Sequence, residues 1–110
     1  MKDFNEVWAD IVAVVKKHKV LYAPESRKMQ VINDVTSNSI SYTDDPTHKP
    51  TPVSIKAEEF SKVWKAMCES GVIDENGMRE LVGLKKAEFI WTVMDRLEYI
   101  DYDQRIMKIK

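Results

Sequence analysis

The order of elements in the last third of the chain constrains the fold more than any single residue does. "VID", residues 72–74, reads as a short extended piece. "ENGMRELVG" reads as a short helix ended by Gly83. "LKKAEFIWTVMDRLEYI" reads as a longer helix, with Ala87, Ile90, Val93, Met94 and Leu97 recurring on one face. "EYIDYDQRIMKIK" then passes through an acidic turn into alternating apolar and basic residues, the pattern of a terminal β-hairpin. Ile100, Ile106 and Ile109 are its expected core-side residues.

Upstream, the hydrophobic period changes twice. "DFNEVWADIVAVVKKHK" has Phe4, Val7, Trp8, Ile11, Val12 and Val15 at helical spacing. Asp3 is placed as its N-cap, with Glu6 three residues on. The basic run Lys16, Lys17, His18, Lys19 falls at the negative end of the helix dipole and reads as helix termination. "KMQVINDV" and "SISYT" are β-branched or alternating runs separated by the turn cluster "TSN". "DDPTHKPTP" carries three prolines and reads as a loop. Residues 19–53 are thus expected to form an antiparallel meander of two or three strands, packed on the first helix because a lone hairpin is marginal in water. "VSIKAEEFSKVWKAMCES" is expected to be a helix over residues 55–70, N-capped by Ser54 and followed by Gly71. Ile55, Phe60, Val63, Trp64 and Met67 make its expected buried stripe. The fold class read from these patterns is α+β.

Two resemblances follow. Residues 71–110, with the helix before them, resemble a winged helix-turn-helix in their order of helix, strand, two helices parted by a glycine, and hairpin. The N-terminal half resembles small modules attached to bacterial restriction-type nucleases, through its helix, meander and the "SIKAEEF" start of the next helix. The chain then divides into a helix-plus-meander part, 1–54, and a winged-helix-like part, 55–110, sharing one core.

The charge balance limits the partners. Residues 1–56 carry eight Lys/Arg and seven Asp/Glu, hence +1; residues 57–110 carry nine and eleven, hence −2. Nucleic-acid affinity derives mostly from cationic surface that releases counterions, so it would have to rest on a local patch here. The lone Cys68 cannot form an internal disulfide, which suits a reducing compartment. "IVAVV" is too short to span a bilayer and follows acidic residues, so no signal peptide and no membrane are expected. The expected setting is the cytoplasm, including that of a cell hosting a phage.

The winged-helix resemblance implies a recognition helix at 85–99 and a basic wing. Lys85, Lys86, Arg96, Arg105 and Lys108 are then the candidates for contacting DNA, the lysines through phosphates at a helix N-terminus and Arg96 through a guanine edge or a phosphate. Glu88 and Asp95 on the same helix oppose that reading, as do Asp101 and Asp103 at the base of the wing. Phe89 and Trp91 flank the core stripe and serve either as packing against the N-terminal half or, with Glu88 and Asp95, as a protein interface.

Enzyme chemistry is not expected. His18 ends a helix among lysines, and His48 beside Asp44 and Asp45 is too poor a donor set for a metal. Glu25 and Lys28 have the wrong spacing for one strand face, Cys68 has no matching base, and three glycines leave no phosphate loop. No cofactor is expected. Two functions are weighed, and the order of elements places the first ahead. One is a non-catalytic nucleic-acid-binding or regulatory module. The other is an adaptor or inhibitor, anti-CRISPR-like, of the kind phages and mobile elements encode, bound to a protein of a nucleic-acid-processing system. A homodimer is compatible with either.

Overall fold

A computed structural model describes residues 2–44 and 51–110. Asp45 and His48, with most of the proline loop, lie outside the described residues.

The protein is α+β, an N-terminal helix followed by an antiparallel β-meander and then a helical part closed by a hairpin. Helix α1 spans Phe4–Lys17. Asp3 caps it, its carboxylate accepting the Glu6 N–H at 3.1 Å. Val7, Ile11 and Val15 are buried, as an i, i+4, i+8 stripe should be. Strands β1 (Val20–Tyr22), β2 (Met29–Val35), β3 (Ser39–Asp44) and β4 (Val53–Lys56) lie in sequence order, every pair antiparallel. A bulge between Ile32 and Asp34 breaks the β2–β3 register. The Trp8 indole N–H donates to the Ser37 carbonyl at 3.0 Å and ties α1 to the β2–β3 turn.

The meander has four strands rather than two or three. The additional strand is the segment expected to begin the second helix. Ile55 opposes Ile40 and Val53 opposes Tyr42, so Ser54 is an exposed strand residue, not a helix cap. Ile55 is buried, but through strand pairing. Its spacing already argues this way: Phe60, Val63, Trp64 and Met67 fit one helical stripe, whereas Ile55 lies five residues before Phe60, about 140° off it. Helix α2 is therefore Ala57–Ser70. Its start is held by Glu59, whose Oε2 accepts the Lys56 N–H at 3.0 Å. A lysine side chain has no acceptor to return, so only that half of a capping box operates.

Strand β5 (Val72–Asp74), helices α3 (Glu75–Val82) and α4 (Leu84–Met94), and strands β6 (Ile100–Asp103) and β7 (Ile106–Ile109) complete the chain. The second sheet has the order β5-β7-β6, all antiparallel. Helix α4 is shorter than expected. After Met94 the backbone tightens into i→i−3 bonds, Arg96 N–H to Val93 and Leu97 N–H to Met94. This turn still brings Leu97 into the core. On the hairpin, Ile100 and Met107 are buried and Ile109 half-buried, but Ile106 is 45% exposed. Strand side chains alternate, so Ile106 and Ile109 cannot share a face, and Met107 takes the inward place.

A single hydrophobic cluster draws on both halves, from Val7 and Leu21 through Tyr42 and Ile55 to Phe89 and Met107. The Tyr42 and Phe89 rings stack at 4.0 Å with 8° between planes.

Two backbone positions carry strain tests. Gly83 joins α3 to α4 at φ 85°, ψ 157°, a region that side chains avoid. A Cβ there would meet nothing within 4 Å, so any cost of substitution is conformational. Gly83→Ala is expected to destabilise the fold by about 1–3 kcal/mol in chemical denaturation. At the β6–β7 turn, Gln104 and Arg105 have φ of 48° and 65° across a two-residue loop, the geometry for which Asn-Gly is preferred. Gln104→Asn with Arg105→Gly is expected to stabilise the protein by about 1 kcal/mol, net of the exposed Arg105–Glu75 pair it removes.

Candidate functional site

Helix α4 organises every candidate surface, and its two ends differ. At its N-terminus Leu84 and Lys85 are exposed and Lys86 and Glu88 half-buried. From Phe89 to Met94 every residue is buried. A helix polar on one side would leave a solvated stripe there, but the stripe containing Phe89 and Thr92 is covered. Tyr42 of β3 supplies the cover for Phe89 and also bonds the helix, its hydroxyl donating to the Lys85 carbonyl at 3.2 Å. Burial raises the Tyr42 hydroxyl pKa strongly, with further contributions from Asp44 and Glu88, so it stays a donor.

The residues expected to touch DNA do not form one surface. Lys86 Nζ lies 2.7 Å from Glu59 Oε1, in a half-buried pair that joins the N-termini of α4 and α2. Arg105 Nη1 lies 3.3 Å from Glu75, which also takes Arg79 at 2.9 Å. Lys108 stands 3.9 Å from Asp101 across the β6–β7 pair. Lys85 is exposed and, among the described residues, makes no ion pair. Arg96 is exposed at the opposite end of α4, beside the C-terminus of α1.

The proposed protein-interface set also divides. Phe89 is fully buried and is a core residue, not a surface anchor. Asp95 caps the C-terminus of α4, away from the others. Trp91 and Glu88 do meet at a groove. It has a volume of about 210 Å³ and lies between the β1–β2 turn and the second sheet. Glu25 and Ser26 of the turn form one wall, Glu75 and Arg105 another, and Leu84, Glu88 and Trp91 of α4 the base. Ser26 Oγ donates to Glu88 at 3.0 Å, and the Tyr102 hydroxyl to Glu25 at 3.0 Å. The Trp91 and Tyr102 rings meet edge to face at 5.2 Å. Leu84, 61% exposed, stands at the groove as an unburied apolar group. Glu25 and Glu88 are bonded there to neutral hydroxyls and, among the described residues, make no ion pair.

Nothing in the sequence marks Leu84, Glu25, Glu75 and Tyr102 as one site. A partial signal existed: Leu84, Glu88 and Trp91 stand at i, i+4 and i+7, one helical stripe. Glu25 had no such signal, because it is brought in by the turn between two strands.

Other chemistry is thinly represented. Cys68 is half-buried, and burial pushes its thiol pKa up, away from the reactive thiolate. Among the described residues no group of three or more His, Cys, Asp or Glu could hold a metal ion. Among them, no helix is long and apolar enough to cross a membrane. Inside the meander, Gln30 is fully buried and neither of its amide atoms has a partner among the described residues. No protein-family model, curated protein or solved structure matches the chain.

Burial raises the pKa of the Asp95 carboxyl; neighbouring Arg96 opposes the shift and Asp101 adds to it. A carboxylate at a helix C-terminus is also disfavoured by the dipole. The folded state therefore holds this proton more tightly than the unfolded chain. Its stability contribution falls as pH rises from the unfolded to the raised folded pKa. Asp95→Asn is expected to raise the thermal midpoint at neutral pH. The difference from wild type should vanish in acid, where Asp95 is neutral in both states.

Proposed function

We propose that the protein is a non-catalytic binding module, its C-terminal half of winged-helix type, that acts as an adaptor or inhibitor on a protein partner rather than by reading DNA bases. The order helix, strand, helix, helix, hairpin and the strand order β5-β7-β6 support the winged-helix part of this reading. The burial of α4 from Phe89 to Met94 carries the rest. A recognition helix has to present a solvated face to a groove. Here that face is occupied by the protein's own meander, and Lys86, Arg105 and Lys108 stand beside Glu59, Glu75 and Asp101.

The groove at the N-terminal end of α4 suits a basic partner segment. Leu84 and the edge of Trp91 offer apolar contact, and Glu25 and Glu88 offer charge. A small central apolar contact ringed by polar groups is the arrangement interfaces commonly use. A basic nucleic-acid-binding channel of a nucleic-acid-processing complex presents such chemistry, and occupying it would inhibit that complex in an anti-CRISPR-like manner.

Two measurements test this together. Calorimetric titration with a peptide carrying one leucine flanked by arginines should show binding. Glu25→Gln with Glu88→Gln, which keeps an acceptor for each hydroxyl, should weaken it about tenfold or more at a nearly unchanged thermal midpoint. In a salt-titrated duplex assay, Lys85→Ala with Lys86→Ala should leave the salt slope as in wild type. A shallower slope in that variant would restore α4 as a DNA-contacting element, and peptide binding that ignores the two glutamates would remove the groove from the reading.

A further inference from the structure

At the other end of α4, about 16 Å along the helix from Leu84, cations from separate parts of the chain converge. Asp10, Ala13, Val14 and Lys17 make one stripe of α1, at i, i+3, i+4 and i+7. Facing it is the turn after α4, which carries Arg96. Between them lie two adjoining hollows, of about 620 and 410 Å³, that share Ala13, Val14 and Arg96. Lys17 and His18 line one; Lys110 and Lys2 line the other.

The charge along this furrow is not balanced. Asp10 is engaged by Lys2 at 3.4 Å and by the Tyr99 hydroxyl at 2.8 Å. Glu98 is the other acid lining it, and Asp95 lies next to Arg96 in sequence. Among the described residues Lys17, Arg96 and Lys110 make no ion pair. Lys17 by itself is explained as helix termination, since a cation suits the negative end of α1. Arg96 is not: it comes from a different element and is placed against that cationic end. Setting these cations together, in a lining where four Lys/Arg face two acids, costs stability, and a bound anion would offset that cost.

We infer that this furrow is a binding surface for the phosphate backbone of a nucleic acid, with Lys17, Arg96 and Lys110 as its contacts. Its shared floor is built from small residues, Ala13 and Val14. Among the described residues it has no free aromatic or large apolar anchor of the kind on which protein interfaces depend, because the Tyr99 ring is packed against Trp64 and beneath Lys2 and Leu97 is buried. Backbone phosphates require only cations and carry no sequence information, so the surface grips without reading bases. The inference uses none of the groove residues at the far end of α4 and stands independently of the adaptor reading.

Fluorescence anisotropy with a labelled duplex of arbitrary sequence tests it. Wild type should bind at low salt, with log K falling against log salt at a slope of about −2.7 for three neutralised phosphates. Arg96→Ala should make that slope shallower by about one, with the fold retained by circular dichroism. Lys17→Glu with Arg96→Glu should abolish binding. Lys85→Ala with Lys108→Ala should leave it unchanged. No wild-type binding at low salt overturns the inference, as does equal loss in the Lys85/Lys108 variant. A polyglutamate peptide that competes as well as the duplex at equal charge also overturns it, since the furrow would then be a site for acidic protein.

Discussion

The contact on which the rest depends is the stack of Tyr42 on Phe89. The two rings come from halves of the chain that alternate between strand and helix chemistry, and they meet nearly parallel in the interior. The same tyrosine bonds the Lys85 carbonyl through its hydroxyl. One residue of β3 thus fixes both the lateral position and the depth of α4. Aromatic pairs contribute about 0.5–1.5 kcal/mol beyond their area burial. The larger consequence is geometric: once Phe89 is turned inward on Tyr42, α4 is enclosed over its last two turns and only its ends remain for contact.

That enclosure separates the charges. Glu25, Glu75 and Glu88 gather at the N-terminal end of α4, and Arg96 at the other, where it meets the cationic end of α1. Lysines stand at the first of these ends as well, Lys85 and Lys86 in the first turn of α4, and Asp95 stands beside Arg96 at the other. The near-zero net charge of the chain therefore does not describe either end. The binding proposals rest on which of these charges are paired, because ligands respond to local potential rather than to the sum.

Much of the helical content was legible in residue spacing. Asp3 as the cap of α1, the stripe Phe60, Val63, Trp64 and Met67, and the core positions Ala87, Ile90, Val93, Met94 and Leu97 follow from a period of 3.6 and one capping rule. Sequence pattern and structure differ where two periods compete over a few residues. "VSIK" is short enough to serve either a strand or a helix, and its pairing with β3 decides for the strand. Ile106 reads as inward by its hydrophobicity, although alternation around Met107 turns it out. The candidate site was less legible. Lys86 reads as a free cation until α2 sets Glu59 beside it, and Glu25 has no marked neighbour until Tyr102 reaches it.

What the sequence determined by itself is local: which segments are helical, which alternate, where Gly83 interrupts, and that the chain is α+β. These properties depend on residues a few positions apart, so the pattern carries them. The tertiary structure alone decided which charges are neutralised, that the outward stripe of α4 is covered, and that cations from α1 and from the turn after α4 share one furrow. Each of those depends on contacts between residues distant in the chain, such as the 43 positions separating Tyr42 and Lys85. Such contacts follow from packing the whole core at once, and no local period encodes them.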